Sequence, residues 1–149
     1  MSEMIMVFAS MTGNTEEMAN AIAEGIRQTG NDLEINDIIE SPSASRLEKF
    51  DGILLGSYTW GEGDLPDEFL DLYEEMDEIN LSGKKAVVFG SGDTAYDQYA
   101  GAVDILIEKL KERGAEIVLE GLKVDTSPSP DDIENCKEFG KEFARHLNK

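Results

Sequence analysis

The chain has 149 residues, 40% of them hydrophobic, which suits one globular domain with a core of its own. Its 32 carboxylates against 13 basic side chains give a formal net charge of -19, weighing against nucleic acid and anionic membrane surfaces as partners. The single cysteine, Cys136, excludes an internal disulfide, and no apolar run approaches the roughly 20 residues of a membrane span.

In chain order, residues 4–9 (MIMVFA) form a continuous apolar run, as a strand covered on both faces requires. The preceding N-terminus lacks the basic flank of a signal peptide, so the expected location is cytoplasmic. Met18, Ile22 and Ile26 recur at four-residue spacing and predict a helix that stops at Gly30. Residues 32–38 alternate more, as an edge strand does, and the SPSAS run at 41–45 allows only a short helix before the next strand. Residues 52–57 (GILLGS) and 85–89 (KAVVF) predict two further buried strands. Pro66 opens a helix with Phe69, Tyr73 and Met76 on one stripe. Val103, Leu106, Ile107 and Leu110 define another, closed by Gly114. A fifth strand over 117–124 lies in a stretch from 116 to 125 where Gly121 marks a bulge or kink. The last helix runs from about Pro130 to His146, and Cys136 shares its apolar stripe with Ile133, Phe143 and Leu147, as a core residue would.

Strands alternating with helices over short connections predict a doubly wound α/β fold, a parallel sheet with helices on both faces. No repeat, linker or low-complexity tract interrupts it, so residues 1–149 are expected to form a single domain. Open sheets of this kind bind ligands at the carboxyl ends of their strands, where the strand order reverses. Three loops therefore matter: SMTGNTE after the first strand, YTWGEG after the third and GSGDTAYDQY after the fourth.

The first loop carries no cation. Unpaired helix-start amides and the helix dipole can nevertheless hold a phosphate. Gly13 lets the backbone curl, and Ser10, Thr12, Asn14 and Thr15 each offer a side-chain donor. Ordinary capping is the alternative, since Asn14 and Glu17 have capping-box spacing. Trp60 and Tyr96 follow the third and fourth strands and could flank a planar cofactor, although a lone tryptophan also serves as a loop anchor. Gly61 and Gly63 equally suit a simple turn, and Asp93 a solvated one.

Together these three loops resemble those of the flavodoxins, and the resemblance extends along the whole chain with no insertion in the fifth strand, as in the short-chain type. It implies a five-stranded parallel sheet in the order 2-1-3-4-5 and non-covalently bound flavin mononucleotide (FMN). The phosphate would lie on Ser10, Met11, Thr12, Gly13, Asn14 and Thr15, with a further hydroxyl from Tyr58 or Thr59, since Tyr58 stands where relatives often have serine. Trp60 would pack on the inner face of the ring and Tyr96 on the outer, while Ser91, Gly92 and Asp93 would meet its pyrimidine edge. The Gly61–Glu62 peptide would flip to accept the N5 proton of the half-reduced ring. Gln98 replaces an aromatic of some relatives and leaves Tyr99 as the second tyrosine nearby.

The resemblance further implies a low-potential one-electron carrier, cycling mainly between neutral semiquinone and anionic hydroquinone, without substrate chemistry of its own. Each carboxylate repels the reduced ring by only about 0.4 kcal/mol at 10 Å in water, so several must add up to matter. The expected partners are basic redox proteins: a flavin reductase as donor and haem or iron–sulfur enzymes as acceptors, met as a monomer. Related architectures lack their signatures here. A receiver domain needs an acidic pair where Ser10 and Met11 stand and a phosphoacceptor aspartate where Tyr58 and Thr59 stand, a low-molecular-weight phosphatase needs a first-loop cysteine, and no Walker motif is present. A small FMN-dependent reductase and a flavin-binding activation factor remain as alternatives.

Overall fold

Successive residues of Met4–Ala9 (β1) serve opposite faces of one sheet. Met4, Met6 and Phe8 join one apolar cluster, while Ile5, Val7 and Ala9 join another, so the whole run is buried. The computed structural model describes residues 3–10, 13–40, 43–59, 64–92, 101–125 and 127–147. Along the chain β1 is followed by Asn14–Gln28 (α1), Glu34–Asp37 (β2), Gly52–Tyr58 (β3), Asp67–Glu75 (α2), Lys85–Gly92 (β4), Gly101–Glu112 (α3), Glu116–Ile117 (β5), Leu122–Asp125 (β6) and Pro130–Leu147 (α4). Two 3-10 turns, Ile38–Glu40 and Ala44–Lys49, join β2 to β3, as the SPSAS run led one to expect.

All strand pairs are parallel in the order β2-β1-β3-β4-β5, with β6 also on β4. The predicted order therefore holds, with one correction. The fifth strand is two pieces on one edge of β4. From Ile117 to Leu122 that edge advances five residues while β4 advances three, from Ala86 to Phe89. The surplus forms a bulge that ends at Gly121, where the kink was expected.

Helices α1 and α4 cover the face carrying Met6, Leu54, Val87 and Phe89; α2 and α3 cover the face carrying Val7, Leu55 and Val88. Lys109 ties the second layer together. Its ammonium is buried, lies 2.5 Å from Asp77 just past α2, and sits 4.2 Å above the ring of Tyr73. Cys136 is fully buried in the first layer. Burial above all, then Asp132 and Glu17, pushes its thiol up to about 12, so it stays protonated as an inert core group.

The β2 edge is held by charge. Arg46 reaches Glu34 with both Nε (2.6 Å) and a terminal guanidinium nitrogen, and its guanidinium also lies over Phe50. Hydrogen bonds from Arg46 first and Asn36 second hold the Glu34 carboxyl below its ordinary range. A lowered folded-state pKa stabilises above the ordinary carboxylate value and is lost as pH falls through the folded one. Arg46→Gln should therefore melt below the parent at neutral pH, with the difference shrinking below about pH 4.5. Melting curves at several pH values check this, and an unchanged difference at acid pH would refute it.

Candidate functional site

After β1 the chain turns to α1 on one face, and after β3 it turns to α2 on the other. The crevice between the carboxyl ends of β1 and β3 is thus the switch point of the sheet. At its β1 side Gly13 takes a left-handed φ of 90°, and a Cβ there would meet nothing within 4 Å. Gly13, not Asn14, is the residue that caps α1; Asn14 already lies within the helix, and the capping-box reading is corrected. The hydroxyl of Ser10 accepts the backbone N–H groups of Gly13 and Glu16, each at 3.2 Å. Glu16 and Glu17 complement the dipole in the first turn.

Thr15 is buried beneath this start, and its hydroxyl pairs with that of Ser91 at 2.8 Å. Ser91 and Gly92 belong to β4, which runs three residues beyond its predicted end. This contact joins the first loop to the fourth strand.

At the β3 side, Tyr58 and Thr59 turn away from α1. The Tyr58 phenol donates to Glu68 in the first turn of α2. Burial chiefly, then that bond and the charges of Glu68 and Asp67, raise its pKa far above the ordinary phenol value, so it remains a neutral donor. The Thr59 hydroxyl accepts the Ala102 N–H of α3 at 3.3 Å. Met11, Thr12, Trp60, Gly61, Glu62, Asp93, Tyr96, Gln98 and Tyr99 lie outside the described residues.

The flavodoxin family model matches residues 6–140. The chain belongs to the flavodoxin family. Among curated relatives, a probable flavodoxin 2 of Bacillus subtilis (strain 168) is 45% identical over 97% of this chain and 96% of its own length. The crystal structure of oxidised flavodoxin 1 from Bacillus cereus superposes with a TM-score of 0.95 at 63% identity, covering 97% of this chain and 99% of that one. A short-chain flavodoxin associated with a non-canonical PDU bacterial microcompartment superposes with a TM-score of 0.92 at 31% identity, over 99% of both chains. This flavodoxin is of the short-chain type.

The donors at its β1 rim suit a phosphate monoester. Open space lies in front of Gly13, hydroxyls of Ser10 and Thr15 stand beside the positive end of α1, and no cation is among them. Sequence reasoning missed Glu68, Ser57 and the Ala102 amide. Ser57 is fully buried and donates to the Tyr58 carbonyl at 2.7 Å. Glu68 was legible in principle: Pro66 fixes the start of α2, and its first turn faces back to the end of β3. No helix among the described residues is long and apolar enough to cross a membrane, and no cluster of metal-ligating side chains occurs among them. A cleft of about 590 Å³ at the opposite rim, beside Leu33, Lys49 and Phe50, also holds the Arg46–Glu34 pair.

Proposed function

We infer that this flavodoxin carries single electrons on non-covalently bound FMN. The observation that carries the reading is the cation-free cradle of amides and hydroxyls at the start of α1, in the switch-point crevice. When bound, FMN supplies two successive one-electron steps. Ser10, Thr12, Asn14 and Thr15, on a backbone that Met11 and Gly13 let curl around it, would hold its phosphate by neutral donors. Thr15 is positioned for that by Ser91, which can donate to it and leave the threonine proton free for the ligand. For Trp60, Gly61, Glu62, Asp93, Tyr96, Gln98 and Tyr99 the support is the sequence pattern of the family.

The net charge of -19 favours basic docking faces over acidic ones, which supports a reductase as donor and haem or iron–sulfur enzymes as acceptors. The same charge sets copies apart, in keeping with a monomer. One sheet with two cores against it supports a single domain over 1–149. Membership of the flavodoxin family supports a carrier without substrate chemistry of its own, working in the cytoplasm.

The visible spectrum during stepwise anaerobic reduction tests this. The protein, as purified or after adding FMN, should be yellow, turn blue, and only then bleach. Direct bleaching would assign a two-electron flavin enzyme, and a protein that FMN cannot colour would overturn the reading.

A further inference from the structure

We propose that Thr59 is a positioning residue that locks together the two segments carrying the ring-contacting residues, and that it does not hold the phosphate. The proposal rests on the FMN reading above. Its N–H donates to the carbonyl of Ser91 at 3.0 Å, and its Oγ1 accepts the N–H of Ala102 at 3.3 Å. Ser91 and Ala102 stand on either side of residues 93–100, the segment that contains Tyr96. One side chain and its own amide therefore fasten Ser91 and Ala102 to the end of β3, so the two keep a fixed separation.

Thr59 also immediately precedes Trp60. Tyr58, the residue before Thr59, is tied to Glu68 in α2, and Leu65 is buried in the core. A shift at the end of β3 would thus be passed to Ser91, Ala102 and Glu68 together. Both hydroxyls, moreover, are engaged with α2 and α3, which cover the face opposite α1. The cradle of Ser10 and Thr15 belongs to α1.

A phosphate ligand and a positioning residue differ in which flavin they affect. The apoproteins of the parent, Thr59→Val and Thr59→Ser should be titrated with FMN and with riboflavin, which lacks the phosphate. Thr59→Val removes the hydroxyl at constant shape, and it should weaken both flavins by the same factor, about five- to tenfold for one lost hydrogen bond. It should also alter the visible circular dichroism of bound riboflavin, a signal that a simple loss of stability leaves unchanged. Thr59→Ser should restore both. A loss confined to FMN, or no loss for either flavin, would overturn the proposal. A parent that binds neither flavin removes the FMN reading itself. Should the valine variant fail to fold, amide exchange in the flavin-free parent decides: Ala102 must be protected, and exchange at the free-peptide rate refutes the contact.

Discussion

Ser10→Asp should separate folding from cofactor binding: FMN affinity falls about a thousandfold while riboflavin affinity stays close to that of the parent. The hydroxyl of Ser10 already receives two N–H groups at the start of α1. A carboxylate there would accept the same donors with a full negative charge, which strengthens each bond and suits the helix dipole. The flavin-free protein should therefore melt slightly above the parent, a gain trimmed by Glu16 and Glu17 nearby. Phosphate meets the same charge as a repulsion. One pair of unit charges about 4 Å apart costs about 4 kcal/mol at an effective dielectric constant of 20, roughly a thousandfold in affinity. Fluorescence titration with the two flavins measures the split. An equal loss for both would mean that Ser10 supports the fold of the crevice and does not face the phosphate.

The second large effect concerns the layer of α1 and α4. A Cβ on Gly25 would lie 2.1 Å from the carbonyl oxygen of Lys137, and one on Gly140 would lie 2.2 Å from that of Ile22. Each helix thus presses a glycine against the backbone of the other. No rotamer change relieves a clash with backbone, so Gly25→Ala or Gly140→Ala must move one helix away from the other. Each should cost about 3 kcal/mol, seen as a lower urea midpoint with an unchanged slope. The double variant should cost less than the two together, because the first displacement already makes room for the second methyl. Fully additive losses would show that the helices yield independently at the two positions.

Which parts of this were visible in the sequence follows from how local their causes are. The bounds of β1 and the starts of β3 and β4 were readable because a strand buried on both faces needs an unbroken apolar run. The helical stripes of α1 and α3 were readable because a one-sided helix repeats its apolar residues every three to four positions, and Gly30 and Gly114 mark their ends with a left-handed turn. β2 came out shorter than predicted, since Asp32 folds back to accept the N–H of Leu33 and spends that residue on a turn. The capping alternative at Asn14 had the right chemistry, yet Gly13 takes the left-handed turn before α1 and Ser10 reaches past it to Glu16. At the site, the residue types announced hydrogen-bond donors but not their partners. Thr15 meets Ser91 across 76 residues, and Tyr58 meets Glu68 in α2. Such pairings are set by strand register and by which face each helix takes, and neither is written in the loops themselves.

The bulge between β5 and β6 has an effect at the border of the molecule. A sheet rim with a long row of unpaired N–H and C=O groups invites a second chain to add a strand. Here the outer strand is cut into pieces of two and four residues, and the opposite rim, β2, is only four residues long. Glu116, Asp125 and Asp37 also put a carboxylate at one end of each of those pieces. A neighbour in a crowded solution would find no stretch long enough to zip onto and a like charge at most stops along the way. Strand-by-strand growth into fibres is therefore blocked at both rims while the sheet's interior stays among the most apolar parts of the chain.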